Sequence, residues 1–194
     1  MTMLPRLMPL RAPFLSSETG APFTNCISCG CALLEGDQAY LIERAVRQIP
    51  DLRAKEVVFE YAMCLSCYEA LYTKLSAASL ERIDAFFSEH VDYEGRARTL
   101  LAEPQVSLDP WLAQCMVDGT PRESLTEYQM VAYCIGSDIV LAHTPCLIGG
   151  PALEQVVDLL SNETLDELGG FADDHLGLPP ELKKLMRPSD FVLI

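Results

Sequence analysis

The sequence predicts an α+β fold of two tandem small modules, each a tight cysteine-bearing turn, a β-hairpin and two helices. Three observations carry that expectation. Distinctive residues recur in the same order in the two halves of the chain. Segments of strand period precede segments of helix period within each half. The length of 194 residues, 49% hydrophobic and 22% charged, suits one ordinary domain or two small ones and disfavours disordered, collagen-like or coiled-coil chains.

The recurrence starts at Cys26-Ile-Ser-Cys29-Gly30, which aligns with Cys115-Met-Val-Asp118-Gly119. Tyr40-Leu-Ile then matches Tyr128-Gln-Met, and Cys64-Leu-Ser-Cys67 matches Cys146-Leu-Ile-Gly149, followed by Ala70-Leu71 and Ala152-Leu153. Ser79-Leu-Glu-Arg-Ile83, Phe86 and His90 align with Thr164-Leu-Asp-Glu-Leu168, Phe171 and His175. A small gap is needed near the turn and another between the helices. The resulting organisation is an N-terminal extension (1–25), a first module (26–93), a linker (94–110) containing Gly95, Pro104 and Pro110, a second module (111–178) and a tail (179–194).

Strands are expected where β-branched and aromatic residues gather, over Ala39 to Val46 and Glu56 to Ala62, and again over Tyr128 to Ile135 and Asp138 to His143. Gly136-Ser137 reads as a tight hairpin turn, whereas the first pair is joined by a longer loop through Pro50. A first helix is expected from near Cys64 and, in the second module, near Cys146. The second helix carries Leu80, Ile83, Phe86 and Phe87 at helical spacing, with Leu165, Leu168 and Phe171 as counterparts. Thr164 and Glu167 have capping-box spacing, and Ser79 keeps the cap alone. His90 and His175 fall at the C-terminal ends of these helices, where an imidazole suits the negative end of the helix dipole. The closing run Phe191-Val-Leu-Ile194 can pair with a sheet edge or plug into a neighbour.

Cys26-x-x-Cys29 and Cys64-x-x-Cys67 are the strongest chemical signal in the chain. Each tight turn can present two sulfurs to one ion, and four thiolates suit tetrahedral zinc in a structural site. The expected cofactor is one Zn2+ per chain, held by Cys26, Cys29, Cys64 and Cys67. Gly30 fits the first turn, and Cys67 would lie in a first helical turn, where the dipole favours thiolate. Cys31 is a third thiol beside the first pair, a bystander, a replacement for Cys29 or a redox neighbour. The order of knuckle, hairpin and helix N-terminus resembles the treble-clef zinc finger from Cys26 to about Leu75. That resemblance implies a zinc-supported scaffold and no particular activity.

The second module keeps Cys115 and Cys146 but has Asp118 and Gly149 in the remaining positions, and Gly149 cannot ligate. A module that lost its metal is the expectation. An open site of Cys115, Asp118 and Cys146 with a water in the fourth position is the sharper alternative, but it lacks a general base, since His143 reads as a strand-end residue.

Charge narrows the partners. With 28 acidic and 14 basic residues the formal charge is -14, which repels a phosphate backbone, so nucleic acid is not expected. From Pro110 to Leu178 eleven acidic residues face Arg122 alone, a net of -10, and from Cys26 to Tyr93 eleven face six, a net of -5. No apolar run reaches the roughly 20 residues of a membrane span. Pro5, Pro9 and Pro13 break up the N-terminus where a signal peptide would need an apolar stretch. A cytoplasmic setting is therefore expected, in which clustered thiols bind metal more readily than they form disulfides. No phosphate loop, nucleophile elbow or His-Glu-x-x-His run is present, and no catalytic residue is assigned. Three classes follow: a zinc-binding scaffold with a protein partner or a second copy of itself, a thiol redox switch that releases zinc on oxidation, and a zinc hydrolase using the second module.

Overall fold

The computed structural model describes residues 6–102 and 106–177; the tail with its Phe191–Ile194 run lies outside them. The described chain is mixed α and β, as expected, with six strands in one sheet and five helices. In chain order these are β1 (Arg6–Pro9), β2 (Ala39–Ile49), β3 (Ala54–Cys64), α1 (Leu65–Tyr72), α2 (Ala77–His90), α3 (Tyr93–Leu101), β4 (Glu127–Ile135), β5 (Asp138–Leu141), β6 (Cys146–Gly149), α4 (Gly150–Asp158) and α5 (Asn162–His175).

The sheet is antiparallel, in the order β1-β5-β4-β2-β3, with β6 also on β4. Its centre is the β2/β4 pair, in register from Ala39↔Ile135 to Arg47↔Glu127. Each of these strands pairs on its other side with the next strand of its own half: β2 with β3, and β4 with β5 and β6. The Gly136-Ser137 turn joins β4 to β5, and a short 3-10 turn at Pro50–Leu52 joins β2 to β3. One continuous sheet therefore crosses both halves.

Alternation along the strands sends successive side chains to opposite faces. One face carries Glu43 and Tyr61, which are cross-strand partners, and meets α5 through an edge-on contact of Tyr61 with Phe171, 5.6 Å between ring centroids. The other carries Arg44, which bonds the Leu15 carbonyl and Glu60 and so straps the N-terminal segment over the sheet. Ser17 adds backbone and hydroxyl bonds to Glu60, at 2.7 and 2.9 Å. Phe14, Leu33, Ile42 and Tyr40 are fully buried. Both faces are covered, and the centres of β2 and β4 are buried along their length, the charged Glu43 and Arg44 included.

Several elements depart from expectation. The segment expected as a linker contains α3, started by Asp92, whose carboxylate accepts from Gly95 N at 2.8 Å. Arg96 of α3 lies over the Trp111 ring, 4.8 Å from its centroid, and donates to the carbonyls of Trp111 and Pro145 at 2.7 and 2.9 Å. The expected helix start near Cys146 is instead strand β6, and α4 begins at Gly150. The N-caps of α2 and α5 are Ser76 and Ser161, three residues before Ser79 and Thr164. His90 and His175 do close α2 and α5.

Candidate metal centre

The first cysteine pair sits in a knuckle closed by Cys26 N donating to Cys31 O and Gly30 N donating to Cys26 O, both at 2.9 Å. Gly30 has φ +73°, a left-handed conformation that glycine adopts without Cβ strain. Ile27 N donates to Ala62 O at 2.9 Å, which ties the knuckle to the end of β3. There the second pair begins: Cys64 is the N-cap of α1, and Cys67 lies in its first turn. The knuckle and the helix start are thus held together by backbone, independently of any sulfur chemistry.

The four sulfur atoms of Cys26, Cys29, Cys64 and Cys67 all lie within 4.8 Å of one another, with Cys29 Sγ and Cys64 Sγ 3.8 Å apart. Zinc–sulfur bonds of about 2.3 Å in a tetrahedron place sulfurs about 3.8 Å apart. The donor set and its dimensions fit a divalent metal ion such as zinc. Cys64 N lies 3.4 Å from Cys26 Sγ, a donor to a sulfur that carries negative charge in a metal site. Cys26 and Cys64 are buried, Cys67 is half-buried and Cys29 is exposed.

Hydrogen bonds divide the thiol protons unevenly. Cys29 is lowered to about 6, first by the Cys31 backbone N–H and then by the Cys31 and Cys67 thiols. Cys31 is pushed up to about 12, chiefly because its thiol faces Cys29, and Cys67 is pushed up to about 12 by burial and then by Cys64. Cys31 therefore acts as a hydrogen-bonding neighbour of a candidate ligand.

No protein-family model, curated protein or solved structure matches this chain. Its chemistry rests on its own geometry.

The second half has a knuckle with the same backbone bonds, in which Cys115 is the sole cysteine and Asp118 stands three residues after it. Cys115 N donates to Thr120 O at 2.8 Å, Gly119 N to Cys115 O at 3.0 Å, and Gly119 again has φ +73°. Met116 N reaches Leu147 O at 2.8 Å, as Ile27 reaches Ala62. Gly149 is the N-cap of α4, and Ala152 lies in its first turn. Gly149 and Ala152 thus stand at the start of α4 as Cys64 and Cys67 stand at the start of α1, whereas Cys146, which the sequence aligns with Cys64, lies in β6. Cys146 stands in β6 opposite Val131, as Tyr61 stands opposite Glu43. A Cβ added at Gly149 would lie 2.7 Å from Leu125 Cδ2, so any larger residue there must displace a buried leucine.

Among the described residues, the four cysteines of the first half are the one group of three or more His, Cys, Asp or Glu side chains that converges for a metal; Cys115, Asp118 and Cys146 do not form another. Asp118 accepts from Thr120 N at 2.9 Å inside its own knuckle. Burial raises Cys115, and it pushes Cys146 up to about 11, so both stay thiols. No helix among the described residues is long and apolar enough to cross a membrane.

Sequence reasoning missed one buried acid beside these elements. Glu43 is 4% exposed, accepts the Tyr61 hydroxyl on Oε2 and has no partner for Oε1. Burial pushes it up to about 7. Its only sequence signal is a charge at a core-facing position of an apolar strand.

Proposed function

We propose that Cys26, Cys29, Cys64 and Cys67 hold one zinc ion per chain as a structural centre, and that the protein is a zinc-supported scaffold for protein–protein contact. The observation that carries this reading is the convergence of four sulfurs from two segments to within 4.8 Å. The knuckle, the β2/β3 hairpin and the start of α1 supply these sulfurs in treble-clef order. No position is left open for a reacting water, which suits a structural and not a catalytic ion. In this reading the two halves descend from one duplicated unit. Their matching knuckle bonds, the helix caps at Cys64 and Gly149 and those at Ser76 and Ser161 support that descent. The second copy then keeps its shape through core packing where the first uses metal.

The test is metal analysis of protein purified without chelator, combined with thermal melts of two variants. The expected result is one zinc per chain, lost in Cys64→Ser together with a large fall in melting temperature. Cys115→Ser should keep the zinc and melt close to the parent. Absence of stoichiometric metal from the parent, or equal losses in both variants, overturns the reading.

A second reading, a thiol switch, is favoured by the exposure of Cys29 and by Cys31 beside it. It predicts that mild peroxide releases zinc reversibly, and that Cys31→Ser makes the release irreversible.

A further inference from the structure

Three arginines of the sheet and its flanks pair with carboxylates: Arg44 with Glu60, Arg47 with Glu127 and Arg122 with Glu123. Arg96 of α3 is half-buried, and among the described residues no carboxylate lies within ion-pair distance of it. Burial lowers its pKa, opposed by Cys146 and Tyr93, a thiol and a phenol that are uncharged at neutral pH. A cation withdrawn from water is ordinarily paired. This one is held by dipoles and a ring alone.

The hydrogen bonds show which part of the guanidinium is committed. One face lies over the Trp111 ring, 4.8 Å from its centroid. Nη2 donates to the carbonyls of Trp111 and Pro145, and Nη1 to that of His143 at 3.3 Å. Nε donates to no protein group and, unlike Nε of Arg44 and Arg122, is not sealed from solvent. Arg96 lines a groove of about 360 Å³ between α3, the 3-10 turn at Pro110–Leu112 and the second knuckle. Val91, Leu100, Trp111 and Met116 give that groove an apolar wall. Asp92, the acid in it, uses Oδ1 to cap α3 at Gly95 N.

We propose that this groove binds a small carboxylate with an apolar body, the anionic head accepting from Arg96 Nε and the hydrocarbon part lying on Val91, Leu100 and Met116. The ligand class follows from the lining. An unbalanced cation calls for an anion, and the apolar wall beside it favours an organic acid over inorganic phosphate. The carboxylate supplies the negative charge that the fold withholds, through a charge-assisted hydrogen bond about twice as strong as a neutral one. The site lies outside the cysteine cluster and stands whatever those cysteines hold.

Two-dimensional amide NMR of the full chain tests it, with butyrate and benzoate as probes and butyramide and benzamide as their uncharged counterparts. The single tryptophan gives one indole N–H signal, and Trp111 lies in the groove wall. Both acids should shift that signal and the backbone N–H signals of Gly95 and Arg96 saturably. They should bind at least about tenfold more tightly than their uncharged counterparts. Gln114→Glu adds a negative charge at an exposed residue of the groove. It should weaken both acids about threefold or more and leave the melting temperature unchanged. Arg96→Gln should abolish the preference for the charged probes; where loss of its carbonyl contacts unfolds the region, Gln114→Glu decides. The proposal is overturned if neither acid gives a saturable shift, if the shifts fall outside the groove, or if charged and uncharged probes bind alike. Undiminished acid binding in Gln114→Glu, or in a folded Arg96→Gln, overturns it equally.

Discussion

Glu43 shows what a single buried carboxyl does to the protein. Its cross-strand partner Tyr61 donates to one oxygen, which favours the carboxylate, but burial outweighs that bond. Burial holds the proton on Glu43 up to about pH 7, against an ordinary value of 4.5. Between those two values the unfolded chain has released the proton while the folded chain retains it, so stability falls as pH rises and levels off above about 7. The full penalty is on the order of 3 kcal/mol. Glu43→Gln should flatten this part of the pH profile and be more stable than the parent above neutrality, as measured by urea melts on either side of the window. Parallel profiles for the two proteins would show that Glu43 is not the titrating group. Across the sheet, Arg44 and Glu60 behave differently, because removing Glu60 leaves a buried guanidinium uncompensated. Glu60→Ala should cost about 3 kcal/mol and free the strap at Leu15 and Ser17, read as faster proteolysis of the N-terminal segment.

At the scale of elements, the starts of α2 and α5 are built into each other. Ser76 Oγ caps its own helix at Ser79 N, Ser161 Oγ caps its own at Thr164 N, and the two hydroxyls lie 2.9 Å apart. Each backbone N–H of the capping serines then donates to the other helix's buried hydroxyl: Ser76 N to Thr164 Oγ1 at 3.0 Å, and Ser161 N to Ser79 Oγ at 2.9 Å. Ser76→Ala and Ser161→Ala should each cost about 1 kcal/mol as lost caps. Because they share one network, the double variant should depart from the sum by at least about 0.5 kcal/mol. Strict additivity in chemical denaturation would show two independent caps. This region also marks what the sequence can reveal. Ser79 and Thr164 stand out because they precede the apolar helical pattern at the same offset, but the capping residue is the serine three positions before each, and only the hydrogen bonds distinguish them. Strands β2, β3 and β4 were legible from their β-branched and aromatic runs. β6 was not, since Cys146-Leu-Ile after Pro145 is a short apolar run that serves a buried strand or a helix start equally well. α3 was hidden by Gly95 and by few apolar positions, and β1 by the prolines around it. The four cysteines were legible because Cys-x-x-Cys spacing is itself a geometric statement. Glu43 was not, because its burial is decided by strands far apart in sequence.

For the whole molecule, under the proposed zinc-bound reading, the β2/β4 pair decides how metal loss would spread. A structural zinc is worth about 10–16 kcal/mol at neutral pH, comparable with or greater than the usual total stability of a domain. Stripping it with a strong chelator should therefore unfold the first half, and the second half would lose the strand that covers β4. Trp111 is the single tryptophan, is 1% exposed and belongs to the second half. Its fluorescence should shift to the red together with the loss of far-ultraviolet circular dichroism, in one transition. A tryptophan signal that stays unchanged while the dichroism falls would mean the halves unfold separately.

The same strand pair bears on any attempt to produce one half of the protein by itself. Cutting the chain in the 103–105 region would leave β2 or β4 with an uncovered edge of nine residues. An orphaned β2 exposes unpaired backbone N–H and C=O groups along that edge, a template for pairing with the same edge of a second copy. A solitary first half should therefore elute from a sizing column as a self-paired dimer or be lost to aggregation, and a well-behaved monomer is not expected from it.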